Sequence, residues 1–146
     1  MGERYSPRKL GLEELVRVLV QEHAVMREGL EQARDAARRK DFGAVARTLK
    51  EIDPVFRQHI VDEEFEILGL LIRSLGVKGA EKEILVFRQH RPIYALMTKI
   101  RELAAAPSGE LEARETELEA LFSEHARVEE SEVFPKATSL GGRDSK

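Results

Sequence analysis

Three of the four histidines in this 146-residue chain share one local sequence, Phe-x-x-His. Two copies extend it to Phe-x-x-His-x-x-x-Glu-Glu, as FRQHIVDEE at residues 56–64 and FSEHARVEE at residues 122–130. The third Phe-x-x-His occupies residues 87–90, and the remaining histidine is His23. Imidazole and carboxylate groups are the ligands that iron, zinc and manganese accept in proteins. The repeat therefore indicates a metal site.

Each histidine lies on the apolar stripe of a predicted helix. Leu19 precedes His23 by four residues, and Phe87 and Ile93 flank His90 at intervals of three. Side chains at this spacing share one helix face, which in a folded protein is the buried face. At about 1.5 Å per residue, the predicted heights of the histidines differ by less than about 10 Å within each helical hairpin. We therefore expect four imidazoles in one core layer: His23, His59, His90 and His125.

Two glutamates share these faces. Glu63 follows His59 by four residues, and Glu129 follows His125 by four. A buried carboxylate without a partner costs several kcal/mol, roughly, because it loses its hydration. A cation pair would supply the missing charge. Four imidazoles and two carboxylates then divide into two 2-His-1-carboxylate sets, which suit non-haem iron and leave coordination positions open.

A purely structural bundle is the alternative. A single inward histidine is commonly a core residue, and a single His-x-x-x-Glu pair is commonly an ion pair on a helix face. Since the pattern draws in every histidine of the chain, it favours the metal site. The phenylalanine three residues before the histidine is predicted to pack in the core. Glu64 and Glu130 are expected to face water or to contact the histidines on the side away from the metal.

The elements that would position this site are helices. Apolar residues recur at helical spacing nearly everywhere and aromatic residues make up only 5% of the chain, which favours an all-α fold. Four segments with short connections should pack as an up-down-up-down four-helix bundle. We expect a single domain, residues 1–146, with a core over about residues 10–137 and a flexible C-terminal tail. The segments run from about Leu10 to Arg39, Asp41 to Leu75, Ala80 to Ala106 and Glu110 to Ala137.

Turn residues separate the segments. Asp41 is a predicted N-cap, Gly76 and Gly79 mark the second turn, and residues 107–109 (PSG) the third. Pro54 either kinks the second helix or starts a new one, and Pro92 is expected to bend the third helix.

Composition excludes several classes of protein. The chain has no cysteine, which rules out disulfides, thiolate metal sites and iron–sulfur clusters. Its net charge is −3 without a basic stripe, so we expect no nucleic-acid partner. No apolar run approaches the roughly 20 residues of a membrane span, and no apolar signal segment opens the chain. We therefore expect no membrane association and a cytoplasmic location, and we assign no protein partner.

In combination these motifs resemble the hemerythrin-like (HHE cation-binding) family, over about residues 12–135. The resemblance implies a hemerythrin-like bundle with two iron ions joined by an oxo or hydroxo bridge; zinc or manganese are possible occupants. It implies terminal histidine ligands, bridging glutamates, and O2, NO or peroxide as the bound molecule. The implied ligands are His23, His59, Glu63, His90, His125 and Glu129.

Two departures favour the four-His, two-Glu subgroup over the oxygen-carrying hemerythrins. The carriers have a histidine four residues after the third-helix histidine, where this chain has Tyr94, and an aspartate five residues after the last histidine, where it has Glu130. Tyr94 is predicted to be a second-shell hydrogen-bond donor, with packing or direct ligation as alternatives.

The resemblance favours a di-iron protein that binds or senses a small molecule. A redox enzyme, reducing peroxide or NO or oxidising Fe(II), is one alternative, and an iron storage, delivery or repair protein is another. No catalytic residue is assigned, and whether the chain is an enzyme stays open.

Overall fold

The computed structural model describes residues 5–106 and 109–144, nearly all of them helical and none of them in a strand. Two π-helical segments, π1 (Glu63–Leu68) and π2 (Glu129–Val133), each join two α-helices without a break. The α-helices are α1 (Leu12–Arg38), α2 (Phe42–Asp62), α3 (Gly69–Gly79), α4 (Glu81–Arg88), α5 (His90–Ala105), α6 (Glu110–Val128) and α7 (Phe134–Asp144).

These elements form four bundle helices. The first is α1, the second α2–π1–α3, the third α4–α5 and the fourth α6–π2–α7. The first and third bundle helices each pack between the second and the fourth. The predicted all-α, up-down-up-down four-helix bundle is confirmed. None of the described helices is long and apolar enough to cross a membrane.

The first two turns follow the sequence signals. Asp41 caps α2 by accepting a hydrogen bond from the Ala44 backbone N–H at 3.2 Å. Just before it, Lys40 has a φ of 60°, in the left-handed region that non-glycine residues rarely adopt. Gly76 makes the second turn with a φ of 76°, which only glycine adopts without strain. Residues 107–108 of the predicted third turn lie outside the described residues.

The two prolines act differently. Pro54 lies inside α2, which continues to Asp62, so no new helix starts there. In the third bundle helix, the α-helical hydrogen bonding is interrupted at Gln89, between α4 and α5 and about one turn before Pro92; the bend expected from Pro92 stays a prediction. Because proline lacks an N–H, the carbonyl one turn earlier has no helical donor, and the break falls there. The Gln89 N–H turns back to the Val86 carbonyl at 3.1 Å.

The fourth bundle helix is longer than expected. Residues 138–144, which were expected to belong to a flexible tail, are helical, because α7 continues to Asp144. Leu140 packs on the apolar cluster at this end of the bundle. Gly141 allows close approach to α1, since a Cβ at this position would collide with Leu12. Residues 145–146 of the expected tail lie outside the described residues.

The core has two apolar clusters at different heights. One includes Met26, Leu49, Ile100 and Leu118, and the other includes Leu15, Leu19, Ile67, Leu71, Phe87 and Phe134. Along each bundle helix, the histidine falls between residues of the two clusters. The fold therefore places a polar layer between two apolar layers.

Candidate metal centre

The two π segments begin at the two inward glutamates. Glu63 is the first residue of π1 and Glu129 the first of π2, each four residues after a histidine. A π segment accommodates an additional residue in a helical turn and is frequent at functional sites. Both segments also bury the residue four positions further on, Ile67 in π1 and Val133 in π2. The repeated sequence thus corresponds to a repeated backbone irregularity.

The six predicted ligands all lie in the polar layer and are buried. Two groups of donor atoms form, and within each group the atoms lie within 4.8 Å of one another. The exposed fractions are 0% for His23, 1% for His59, 0% for Glu63, 3% for His90, 2% for His125 and 0% for Glu129.

The two groups share both glutamates. We call position A the group with His23 and His59, and position B the group with His90 and His125; Glu63 and Glu129 belong to both. Each glutamate approaches the Nε2 atom of a histidine on its own bundle helix and of one on another. The distances are 3.2 Å for His59–Glu63, 2.8 Å for His90–Glu63, 2.9 Å for His23–Glu129 and 3.2 Å for His125–Glu129.

Four donor atoms in this layer are buried without a hydrogen-bond partner among the described residues. They are the Nε2 atoms of His59 and His125 and the Oε2 atoms of Glu63 and Glu129. A buried polar atom without a partner costs about 1–3 kcal/mol. Cations at positions A and B would give these atoms their missing partners, so the residues fit a two-metal centre.

The opposite ring nitrogen of every histidine contacts a side-chain oxygen. Since a carboxylate oxygen or an amide oxygen can only accept, Nδ1 must carry the proton and donate it. With a cation in place of the Nε2 proton, the Nε2 lone pair would point at the centre, as a metal ligand needs. The pairs are His23–Glu130 at 2.8 Å, His59–Glu22 at 3.0 Å, His90–Glu64 at 3.2 Å and His125–Gln89 at 2.8 Å.

Two of these acceptors, Glu64 and Glu130, lie where the second shell was expected. The other two, Glu22 and Gln89, were missed. Each directly precedes a histidine in the sequence, in QEH at residues 21–23 and RQH at residues 88–90. This pattern does not single them out, because Gln58 and Glu124 directly precede the other two histidines in the same way.

Tyr94 lies beside the centre without contacting the donor atoms described above. Its phenolic oxygen accepts a short hydrogen bond from Arg57, and its ring stacks on Phe56 with centroids 6.4 Å apart. Phe56 in turn meets the edge of His90 at 6.2 Å. A role for Tyr94 as a hydrogen-bond donor to a bound molecule stays a prediction.

The buried histidines and glutamates shift one another's pKa values. Burial acts to lower the pKa of His90, but hydrogen bonds to Glu63 and Glu64 and the charges of Glu63 and Glu129 outweigh it and raise the pKa to about 9. Burial is likewise outweighed for His59, whose pKa is raised well above its usual value by the charge of Glu63 and by hydrogen bonds. Against the opposing effect of burial, the close approach of His125 and then of His23 holds the pKa of Glu129 well below its usual value. In the absence of a cation, protons balance the buried carboxylates.

Residues 3–71 match the family model described as Hemerythrin HHE cation binding domain. This match covers slightly less than half of the chain, and includes His23, His59 and Glu63. No curated protein and no solved structure matches the chain significantly. The match confirms the resemblance inferred from the motifs, and with the buried histidines and glutamates it indicates a metal cation site.

Proposed function

We propose that this hemerythrin-like chain is a non-haem di-iron protein that binds or senses O2, NO or peroxide. The observation that carries the proposal is the pair of donor groups that share Glu63 and Glu129. Two shared carboxylates would hold two cations next to each other, and a single mononuclear site would not need both groups. This arrangement favours a centre in which two metal ions act together.

The donor set is consistent with open coordination positions. His23 and His59 would hold one ion, His90 and His125 the other, and the glutamates both. When bound, two iron ions would supply one-electron redox chemistry and vacant positions for a small ligand. The metal identity rests on the family resemblance and the imidazole–carboxylate chemistry, which zinc and manganese also accept.

The residues around the centre restrict what can reach it. The terminal ligands are at most 3% exposed. Phe134 stacks on His23 with ring centroids 5.9 Å apart, and Phe87 lies 5.6 Å from His90. This crowded aromatic lining suits a molecule with two or three non-hydrogen atoms better than a large organic substrate.

The test is metal loading followed by exposure to each small molecule. The purified chain is reconstituted with Fe(II) without oxygen, and iron content and the visible spectrum are recorded before and after air, NO or peroxide. We expect two iron ions per chain and a spectral change with at least one molecule. A chain that takes up no iron, or whose spectrum responds to none of the three, would contradict the proposal.

The same samples separate the alternatives. Continued consumption of peroxide or NO with a supplied reductant would indicate a redox enzyme. Rapid loss of iron to a chelator would indicate iron delivery or repair. Slow exchange and a single binding event are expected for a binding or sensing protein.

A further inference from the structure

The centre has approximate twofold symmetry that relates the N-terminal half of the chain to the C-terminal half. The first and second bundle helices contribute His23 and the motif starting at His59; the third and fourth contribute His90 and the motif starting at His125. The outer contacts repeat as well. Glu64 accepts from His90, and in the equivalent place Glu130 accepts from His23.

One equivalent pair breaks this symmetry in charge. Glu22 precedes His23 and accepts from Nδ1 of His59 at 3.0 Å. Gln89 precedes His90 and accepts from Nδ1 of His125 at 2.8 Å. The geometry is therefore the same in both halves, whereas the acceptor is a carboxylate beside position A and a neutral amide beside position B.

A residue from outside the bundle helices holds the carboxylate. Nη2 of Arg8 lies 3.1 and 3.0 Å from the two carboxylate oxygens of Glu22. Arg8 is itself fixed, because its Nε and backbone N–H donate to Asp62 at 2.7 and 2.8 Å, and Asp62 is fully buried. Arg8 thus holds the Glu22 carboxylate beside His59.

A charged acceptor on the outer nitrogen makes an imidazole a stronger electron donor to a metal than a neutral acceptor does. Both histidines of position A have carboxylate acceptors, whereas position B combines one carboxylate with Gln89. We propose that Glu22, positioned by Arg8, and Gln89 make the two cation positions inequivalent, with position A holding its ion more tightly. The inference rests on the proposed two-metal centre but not on iron or on the small molecule.

The experiment measures zinc release from the full-length chain. Zinc is redox-inert, so the measurement is independent of any reaction of the loaded centre. The zinc-loaded chain is mixed with an excess of a chromogenic chelator, and release is followed over time. We expect two phases of equal amplitude. His125→Ala should retain the slow phase and His59→Ala the fast phase, which assigns each phase to a position.

Three variants test the positioning residues. Gln89→Glu should slow the fast phase, and Glu22→Gln should accelerate the slow phase, each by about tenfold or more, as outer-shell substitutions generally do. Arg8→Ala should accelerate the same slow phase as Glu22→Gln, although Arg8 touches no ligand. Gln21→Glu is the matched control for Gln89→Glu, because it adds the same negative charge at an exposed position of α1. It should change neither phase.

The outcomes are distinguishable. Two zinc ions that leave in one phase, or a Gln89→Glu variant with unchanged release, would overturn the inference and leave the two-metal centre standing. A chain that binds no zinc and no iron would overturn the proposed function together with the inference. Circular dichroism of each variant shows whether it retains the helical fold.

Discussion

At the scale of single residues, each histidine of the centre uses both ring nitrogens. Nε2 faces the donor group and Nδ1 donates to an oxygen on another bundle helix. Ring orientation is therefore fixed from two sides. The ligands depend on outer residues as much as on their own positions, which makes single substitutions informative.

Substitution of a shared ligand should remove more bound metal than substitution of a terminal ligand. Glu129→Gln removes a carboxylate that both positions use, so we expect less than one bound metal ion per chain. His125→Ala affects position B alone and should leave about one ion, by the stoichiometry of the donor groups. Metal analysis after gel filtration measures both. Glu132→Gln, exposed on the same bundle helix, is the control, and retention of two ions by Glu129→Gln would refute the assignment of Glu129 as a ligand.

The six candidate ligands and the outer acceptors Glu22 and Gln89 differ in how far the sequence predicts them. The six inner residues lie on apolar stripes, so helical periodicity alone brings them to one layer. Glu22 and Gln89 lie next to a histidine, about 100° around the helix from it. Their contacts are with histidines on other bundle helices, so only the packed structure identifies them.

At the scale of elements, the π segments and the helix break are the features that periodicity does not specify. A shift from α to π hydrogen bonding at Glu63 and Glu129 changes which donor pairs with which carbonyl, and leaves the apolar stripe nearly intact. Pro92 was expected to bend the third bundle helix, and the observed interruption lies one turn earlier, where the carbonyl lacks a helical donor. The sequence therefore predicts the helices better than their irregularities.

The turn after α1 contains a strained residue. Lys40 occupies a left-handed position, with its N–H bonded to the Ala37 carbonyl and the Asp41 N–H bonded to the Ala36 carbonyl. This is the Schellman arrangement, in which glycine is preferred. Lys40→Gly should raise the free energy of unfolding by about 0.5–1 kcal/mol, as measured by urea denaturation. Lys40→Ala retains the Cβ and should give no such gain; equal stabilisation by both would contradict the strain argument.

A buried carboxyl lies away from the metal centre, between α6 and α1. Glu115 is 1% exposed, and neither of its oxygens has a hydrogen-bond partner among the described residues. Nη1 of Arg34, the nearby cation, donates instead to Glu119 at 3.1 Å. Burial, followed by the charge of Glu119, raises the pKa of Glu115 to about 8, against the opposing effects of Arg34 and Arg38.

This pKa makes stability depend on pH. Between about pH 4.5 and 8 the unfolded chain releases the Glu115 proton while the folded chain keeps it, so the free energy of unfolding falls as pH rises. Glu115→Gln lacks this contribution and should be more stable than the parent at pH 8 by on the order of a few kcal/mol, but not at pH 5. Urea denaturation of chelator-treated protein at both pH values measures the difference. Glu112→Gln is the exposed control, and an equal effect at both pH values would exclude titration of Glu115 as the cause.

At the scale of the whole molecule, the sequence predicts the architecture well. Four amphipathic segments with short turns have few ways to bury their apolar faces, and the bundle is the simplest. The tail was misjudged because a few residues after Pro135 give little periodicity to read. The packing of Leu140 and the close contact at Gly141 decide that segment.

Removal of the metal should destabilise the entire bundle. A ligand that binds only the folded state stabilises it by about 2.7 kcal/mol at a free concentration of one hundred times its Kd. For a chain of this size we expect a chelator to lower the melting temperature by roughly 5–10 °C. Calorimetry with and without chelator measures this, and added zinc or Fe(II) should restore the original value. A melting temperature unaffected by both would indicate that the layer is stable without cations.

The shared glutamates have a consequence for how the two halves of the chain stay together. Glu63 comes from the N-terminal hairpin and Glu129 from the C-terminal one, and each donor group draws on both hairpins. In a chain that has no cysteine, bound ions would take the place of disulfides as internal cross-links. Because such links form only when metal is supplied, the steady-state amount of this protein in a cell would rise and fall with the concentration of available metal.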